Sequence, residues 1–550
     1  MVMLNRRGLI GAAGVSLGLM LRPAWAQAIP AGATECFART AQGKLRGVRA
    51  GGLDVYRGVP YGGDISGAGR FKAPTPPKSW SGIRDATRLG APAIQPAGGT
   101  YGVDEPAPDE NCLFLNVWTP TGGARGKPVI VYSHGGGWIG GSGGSVIADG
   151  GNLARENDVV VVATNHRLGL MGFLYLDELG GEEYAGSGAR GIQDIAAALE
   201  WVSRNIEEFG GDPSNVMIMG ESGGAAKTSC LYAMPAAERF FNKACIDSGP
   251  VVRTMTPATA SETTALLLKD LGLDRKSWRQ LTEVPAARLL EAQMRLASNP
   301  NARPSKWTVK IGSWPGAPGE FGAVADGAIL RHPFDPVAPA ISRDKPLIVG
   351  GNEDEQHFFS LVSGDTAAWS LDEAGLGERM KTMFGDEAER LLASYRADRP
   401  GASPSDLFFA VHSDLFAIQG STVIAERKAQ QGGAPAYRYI FAYRSENPVP
   451  GTTAKIGAMH GLDIAFKFDN VDVQFRGRPF AGTRPEKYAA GKNMSRLWAN
   501  FARTGKPSAE GQPEWPAYDL TRRATMVIDS ECHVVDDPHR EERLYWQQRG

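Results

Sequence analysis

Few residues in this 550-residue chain are arranged to do chemistry. The first group is Gly220-Glu221-Ser222-Gly223-Gly224, a G-x-S-x-G pattern. An apolar run, Asn215-Val216-Met217-Ile218-Met219, precedes it, and Ala225-Ala226-Lys227-Thr228-Ser229 leads into a helix. Strand, sharp turn and helix is the context in which such a serine becomes a nucleophile. Gly220 and Gly224 let strand and helix approach without side-chain collision. The second group is His134-Gly135-Gly136-Gly137, directly after the apolar run Pro128-Val129-Ile130-Val131-Tyr132. Three glycines there can turn bare N–H groups toward one point. Pre-aimed donors of this kind stabilise an oxyanion, each by roughly 2.7–4 kcal/mol. Gly136 and Gly137 are the expected donors from this loop, and Gly223, just after the serine, is the third.

A serine hydroxyl needs a neutral imidazole to take its proton and a carboxylate to orient that imidazole. In an α/β-hydrolase both follow the serine in the chain, on loops after late strands. Of eight histidines, that order removes His134 and His166. His412 lies in a helical run, His533 and His539 in the polar tail, and His332 before Pro333. His357 and His460 remain. His460 is flanked by small residues in Gly457-Ala458-Met459-His460-Gly461, so its loop can approach a reacting centre. The acid is expected in Gly350-Gly351-Asn352-Glu353-Asp354-Glu355, after the strand Pro346–Gly350. On spacing alone any of its three carboxylates could serve. His357 is only two residues from Glu355 and is expected to point elsewhere.

The elements that must position these groups alternate. Val159-Val160-Val161-Val162-Ala163 shows no in–out alternation, as a strand buried on both faces would. Gly191 to Phe209 carries Ile192, Ile195, Leu199, Val202 and Ile206 at helical spacing. Residues 36–62 read as a small antiparallel sheet. Helical patterns without strands fill 258–303 and 367–431, as insertions capping the sheet. The expected class is α/β, with a mostly parallel central sheet, a small N-terminal antiparallel sheet and a helical cap.

The N-terminus reads as a leader. Asn5-Arg6-Arg7-Gly8-Leu9-Ile10 is a twin-arginine pair before a weakly apolar stretch, and Ala24-Trp25-Ala26 fits an A-x-A cleavage site. Residues 1–26 are thus expected to be a signal peptide handled by the twin-arginine export machinery, and 27–550 a single domain in the periplasm or outside the cell. The apolar stretch is too short for a permanent membrane span. Losing Arg6, Arg7 and Arg22 takes the formal charge from −1 to −4. That balance carries no basic footprint for nucleic acid. Cys36, Cys112, Cys230, Cys245 and Cys532 show no metal-ligand spacing, and no cofactor or metal is expected.

In sum of motifs, the chain resembles the type-B carboxylesterases, the family of cholinesterases and bacterial p-nitrobenzyl esterases. The resemblance runs from about Thr40 to Asp519. It rests on Arg57-Gly58-Val59-Pro60-Tyr61, Glu110 to Val117, the loop His134 to Trp138, Arg167-Leu168-Gly169, Gln193-Asp194, Phe209 to Pro213, the Ser222 turn, Asp354-Glu355, His460 to Asp463 and Trp515 to Tyr518. It implies an α/β-hydrolase fold and a serine esterase acting on small-molecule esters, with nucleophile Ser222, acid Glu355 and base His460. It also implies a site in a gorge under the helical cap. Apart from the resemblance, Trp138, beside the glycine loop, and Trp314 and Phe358 are candidates to line the acyl or alcohol pocket, with packing in the core as the alternative for each. Three positions depart from the family pattern. Gly223 replaces the usual alanine and is expected to keep the donor but loosen the turn. Gln356 replaces a glycine after the acid. Ala93 stands where the family has a cysteine partner for Cys112, which is therefore expected to be unpaired and buried. The alternatives are an amide or carbamate hydrolase with the same triad, and a non-catalytic binding relative.

Overall fold

The structure is a computed structural model that describes residues 32–96, 105–298, 311–312, 316–475 and 477–549. The expected leader and Trp314 lie outside the described residues.

Among the described residues a thirteen-stranded sheet runs through the molecule. From edge to edge its strands are Thr34–Thr40, Gly43–Ala50, Leu53–Pro60, Phe114–Pro120, Val160–Thr164, Lys127–Ser133, Gly211–Glu221, Lys243–Asp247, Leu347–Asn352, Ala436–Phe441, Ala524–Ile528 and His533–Asp536. Ile83–Asp85 pairs beside the second. The seven strands from Val160–Thr164 to Ala524–Ile528 are mutually parallel. Those at the N-terminal edge are antiparallel. The expected N-terminal sheet is therefore no separate element. Leu53–Pro60 pairs with Phe114–Pro120, because that strand carries apolar residues on both faces and cannot be left as an open edge.

The apolar run at 159–163 is wholly buried, as a strand covered by helices on both faces must be. The helix Arg190–Asn205 lays Ile192, Ile195, Leu199 and Val202 into that core, all fully buried. One tight turn, Ile206–Phe209, then ends on Gly210 at φ 80°, a left-handed conformation that glycine adopts at little cost. Arg167, buried near its start, donates two hydrogen bonds to Asp194 at 2.6 and 2.8 Å, and its own backbone N–H donates a third. A buried charge survives only with such partners, and stranding one of the pair costs about 3–5 kcal/mol.

Helices Pro257–Asp270 and Ala286–Ala297 follow the strand Lys243–Asp247. Helices Glu373–Phe384, Ala388–Asp398, Pro404–Ser413 and Gln419–Gln431 follow Leu347–Asn352. The last two are joined by a π-helical turn, Asp414–Ile418. All five cysteines are free thiols, and Cys112 is buried, in line with the absence of a partner at Ala93.

The chain goes from Lys127–Ser133 to Val160–Thr164 on one side, then crosses back to Gly211–Glu221 on the other. The carboxyl ends of the first and last of these strands flank a topological switch point, where open α/β sheets leave a crevice for ligands. The glycine loop leaves one of them and Ser222 directly follows the other.

Candidate active site

Ser222 sits at φ 57°, ψ −123°, a backbone conformation that a non-glycine residue adopts only under constraint. The constraint is packing. A Cβ on Gly220 would overlap the Gly224 backbone, and one on Gly224 would overlap the Ser133 carbonyl. The strand and the helix Gly223–Tyr232 thus meet at a separation that only glycine allows, and Ser222 is forced to the apex between them. Its N–H donates to the Asp247 carbonyl at 2.9 Å, which ties the turn to the neighbouring strand.

Glu355 and His460, 105 residues apart in the chain, are in contact. His460 Nδ1–H donates to Glu355 Oε2 at 2.6 Å. Glu355 is fully buried, begins the helix Glu355–Ser363, and also accepts the Asn352 N–H at 2.7 Å. The other two acids of that loop are engaged elsewhere. Arg444 pairs with Glu353 at 3.0 Å and with Asp354 at 2.9 Å, and Asp354 also accepts the Ala458 N–H. Arg444 and the Asn352 N–H thus distinguish three carboxylates that spacing leaves equivalent. His357 faces away, with Nδ1 on the Ile456 carbonyl at 3.0 Å and its ring against Phe409. Gln356 lies in the helix that Glu355 begins and donates its N–H to Ser413 Oγ at 3.1 Å.

The other nitrogen of His460, Nε2, lies 3.4 Å from Glu221 Oε1, beside the residue that precedes Ser222. Ser222 Oγ itself forms no hydrogen bond among the described residues. Such contacts are often long in a free enzyme and tighten when substrate arrives. Burial alone would lower the His460 pKa. The carboxylates of Glu221 and Glu355 outweigh it and hold the pKa above the ordinary imidazole value. Burial raises the Glu221 carboxyl. Glu221 is a site residue that sequence reasoning missed, although it adjoins the serine.

A charged lattice supports the His460 loop. Lys467, on the helix Leu462–Lys467, pairs with Asp463 and, at 3.1 Å, with Asp247. Asn352 donates to the Met459 carbonyl at 2.8 Å and to Asp463 at 3.2 Å. Asp247 accepts from Tyr439 at 2.8 Å, while its carbonyl holds the Ser222 N–H. The ends of four adjacent strands and the imidazole loop are therefore one connected body.

Gly136 and Gly137 adopt φ 90° and 61°. Among the described residues their N–H groups donate to nothing. Gly223 approaches the same loop so closely that a Cβ on it would overlap the Gly137 carbonyl oxygen. The turn is therefore not loosened by glycine at this position. The missing methyl is the room that the glycine loop occupies.

Phe358 lies 5.6 Å from the His460 ring, as ring centroids. Phe359 stacks on it at 5.2 Å and Phe416, in the π-helical turn, meets it edge-on at 4.9 Å. Sequence spacing singles out neither of these last two. Trp138 is 3 % exposed and packs edge-on against Phe173, within the core.

Comparison with known proteins fits this arrangement. Residues 35–546 match the carboxylesterase family. The para-nitrobenzyl esterase of Bacillus subtilis is 32 % identical, covering 93 % of this chain and 98 % of its own. The phenmedipham hydrolase of Pseudarthrobacter oxydans is 33 % identical, covering 90 % and 96 %. The crystal structure of a Geobacillus stearothermophilus carboxylesterase superposes with a TM-score of 0.79 at 34 % identity, covering 93 % of this chain and all of the other. A G-x-S-x-G turn at a switch point, a buried carboxylate–imidazole pair and full-length similarity to esterases agree: the chain belongs to the carboxylesterase family and is an α/β-hydrolase that cleaves carboxylic esters.

Proposed function

We propose that Ser222 attacks the ester carbonyl while His460 takes its proton, with Glu355 holding the imidazole tautomer and stabilising the imidazolium. Gly136, Gly137 and Gly223 then bind the oxyanion. His460 returns the proton to the leaving alcohol, and a water activated by the same imidazole releases the acid from the acyl-enzyme. The 2.6 Å hydrogen bond from His460 to Glu355, with the opposite ring nitrogen turned toward the Ser222 turn, carries this reading.

The pH dependence tests it. Only the neutral imidazole can accept the serine proton. A pKa raised by Glu221 and Glu355 therefore delays the active form to higher pH. The rising limb of kcat/KM should have its midpoint above about 6.5, the ordinary histidine value. Glu221→Gln removes one flanking charge and should move the limb to lower pH. A limb at or below that value in both proteins contradicts the assignment.

The substrate we propose is a small ester with an apolar or aromatic alcohol. Phe358, Phe359 and Phe416 around His460 support this, as does the name of the para-nitrobenzyl relative. A panel varying acyl length and alcohol bulk should give higher kcat/KM for aromatic than for charged alcohols, and the reverse order would refute it. Residues 1–26 are proposed to direct twin-arginine export to the periplasm or beyond, leaving a single catalytic domain from Gln27. The Arg6-Arg7 pair and the A-x-A site support this, and the family match begins only at residue 35. N-terminal sequencing of the exported protein should start at Gln27.

A further inference from the structure

Lys227 is a buried cation with an unusual set of partners. It lies on the helix Gly223–Tyr232, one turn beyond Ser222, and is fully buried. Among the described residues its hydrogen-bond partners are two backbone carbonyls and no carboxylate. Nζ donates to Gly137 O at 2.9 Å and to His134 O at 3.3 Å. Burial brings its pKa down to about 7. Either protonation state has the two N–H donors that these carbonyls need. A lysine sealed away from water without a counter-charge is costly, so its position calls for a reason.

The two carbonyls it holds bracket the glycine loop. The His134 carbonyl belongs to the peptide before the Gly136 donor, and the Gly137 carbonyl to the peptide after the Gly137 donor. The two peptides in between are fixed by other means. His134 Nδ1–H donates to Gly135 O at 2.9 Å, and Gly140 N–H donates to Gly136 O at 3.0 Å. Every carbonyl from residue 134 to 137 is thus held from behind, while the Gly136 and Gly137 N–H groups stay unspent on the other side. Each peptide is planar, so the holds on the Gly135 and Gly136 carbonyls aim the Gly136 and Gly137 N–H groups, while Lys227 fixes the peptides on either side of them. The room for this clamp comes from Gly223, whose missing methyl lets the Gly137 carbonyl approach the helix.

We propose that Lys227 is a positioning residue for ester hydrolysis: from behind the glycine loop it clamps the His134 and Gly137 carbonyls, so that the N–H groups of Gly136 and Gly137 meet the oxyanion. This rests on the assignment of those N–H groups as the oxyanion hole. Lys227 touches no reacting atom. Its contribution is geometric and should appear in the transition state rather than in substrate binding.

The test uses the full chain carrying Lys227→Met, which keeps the apolar stem and removes both donors. The readouts are kcat and KM for a p-nitrophenyl ester, inhibition by a trifluoromethyl ketone that forms a tetrahedral adduct, and the labelling rate with a fluorophosphonate. Loosened donors should lower kcat by about 10²-fold, with KM within about threefold. Trifluoromethyl ketone affinity should fall by the same factor as kcat/KM. Lys227→Gln, which keeps an N–H donor on a shorter stem, should fall between the two. The proposal is overturned if the methionine variant keeps kcat within about threefold of the parent, or if its loss in kcat/KM is not matched by the ketone. Failure of both variants to fold also overturns it, since Lys227 would then serve the core and not the loop. Labelling of the parent protein away from Ser222 refutes the site assignment beneath it. Labelling at Ser222 with an unaffected methionine variant refutes the clamp alone.

Discussion

Ser222→Ala should eliminate ester turnover, with kcat falling by about 10⁶-fold, while the protein keeps its melting temperature and circular dichroism. The backbone at Ser222 is held by Gly220, Gly224 and the Asp247 carbonyl and not by the hydroxyl, so removing Oγ leaves the turn intact. Ser222 Oγ has no hydrogen bond to lose among the described residues, which makes a folding defect a poor explanation for inactivity. Assay of the purified variant against a p-nitrophenyl ester checks this. Retention of more than a few per cent of the activity would mean that another group performs the attack.

Glu355→Gln should cost about 10⁴-fold in kcat with little change in KM. The carboxylate accepts Nδ1–H at 2.6 Å in a fully buried setting, so it selects the tautomer that leaves Nε2 free to accept a proton. Glutamine offers an N–H in competition with that role and supplies no charge to stabilise the imidazolium. Replacing the neighbouring Asp354 by Asn should leave kcat within a few-fold, because Asp354 faces Arg444 and the Ala458 N–H. Steady-state kinetics of the two variants side by side distinguish the acids. Equal losses in both would remove the special role given to Glu355.

The parts of the site legible in the sequence are those carried by local pattern. The five-residue run at 159–163 is apolar on both faces because it lies mid-sheet, and the glycines around Ser222 announce a turn that larger residues cannot make. What sequence spacing cannot rank is anything decided by a partner far along the chain. Glu353, Asp354 and Glu355 are separated by Arg444, which arrives some ninety residues later on the loop after Ala436–Phe441. Gly223 reads as permissive because nothing near it in the chain says that the Gly137 carbonyl fills the space above it. Lys227 and Lys467 carry no local signal, since a lysine in a helix usually faces water. Glu221 and Asp463 gave a weak one, each lying within three residues of a motif residue. Alternation marks the N-terminal strands as antiparallel but does not reveal which strand covers an edge, so their pairing onto the main sheet emerges only from the structure.

In the proposed mechanism one serine, activated through His460, carries the acyl group. Its most direct test is mass spectrometry of the protein after reaction with a fluorophosphonate. A single adduct per chain is expected, located by proteolysis on Ser222, formed at the rate at which ester turnover is lost, and absent from His460→Ala. Complete inactivation with the adduct on another residue, or full turnover after Ser222 is modified, would contradict it.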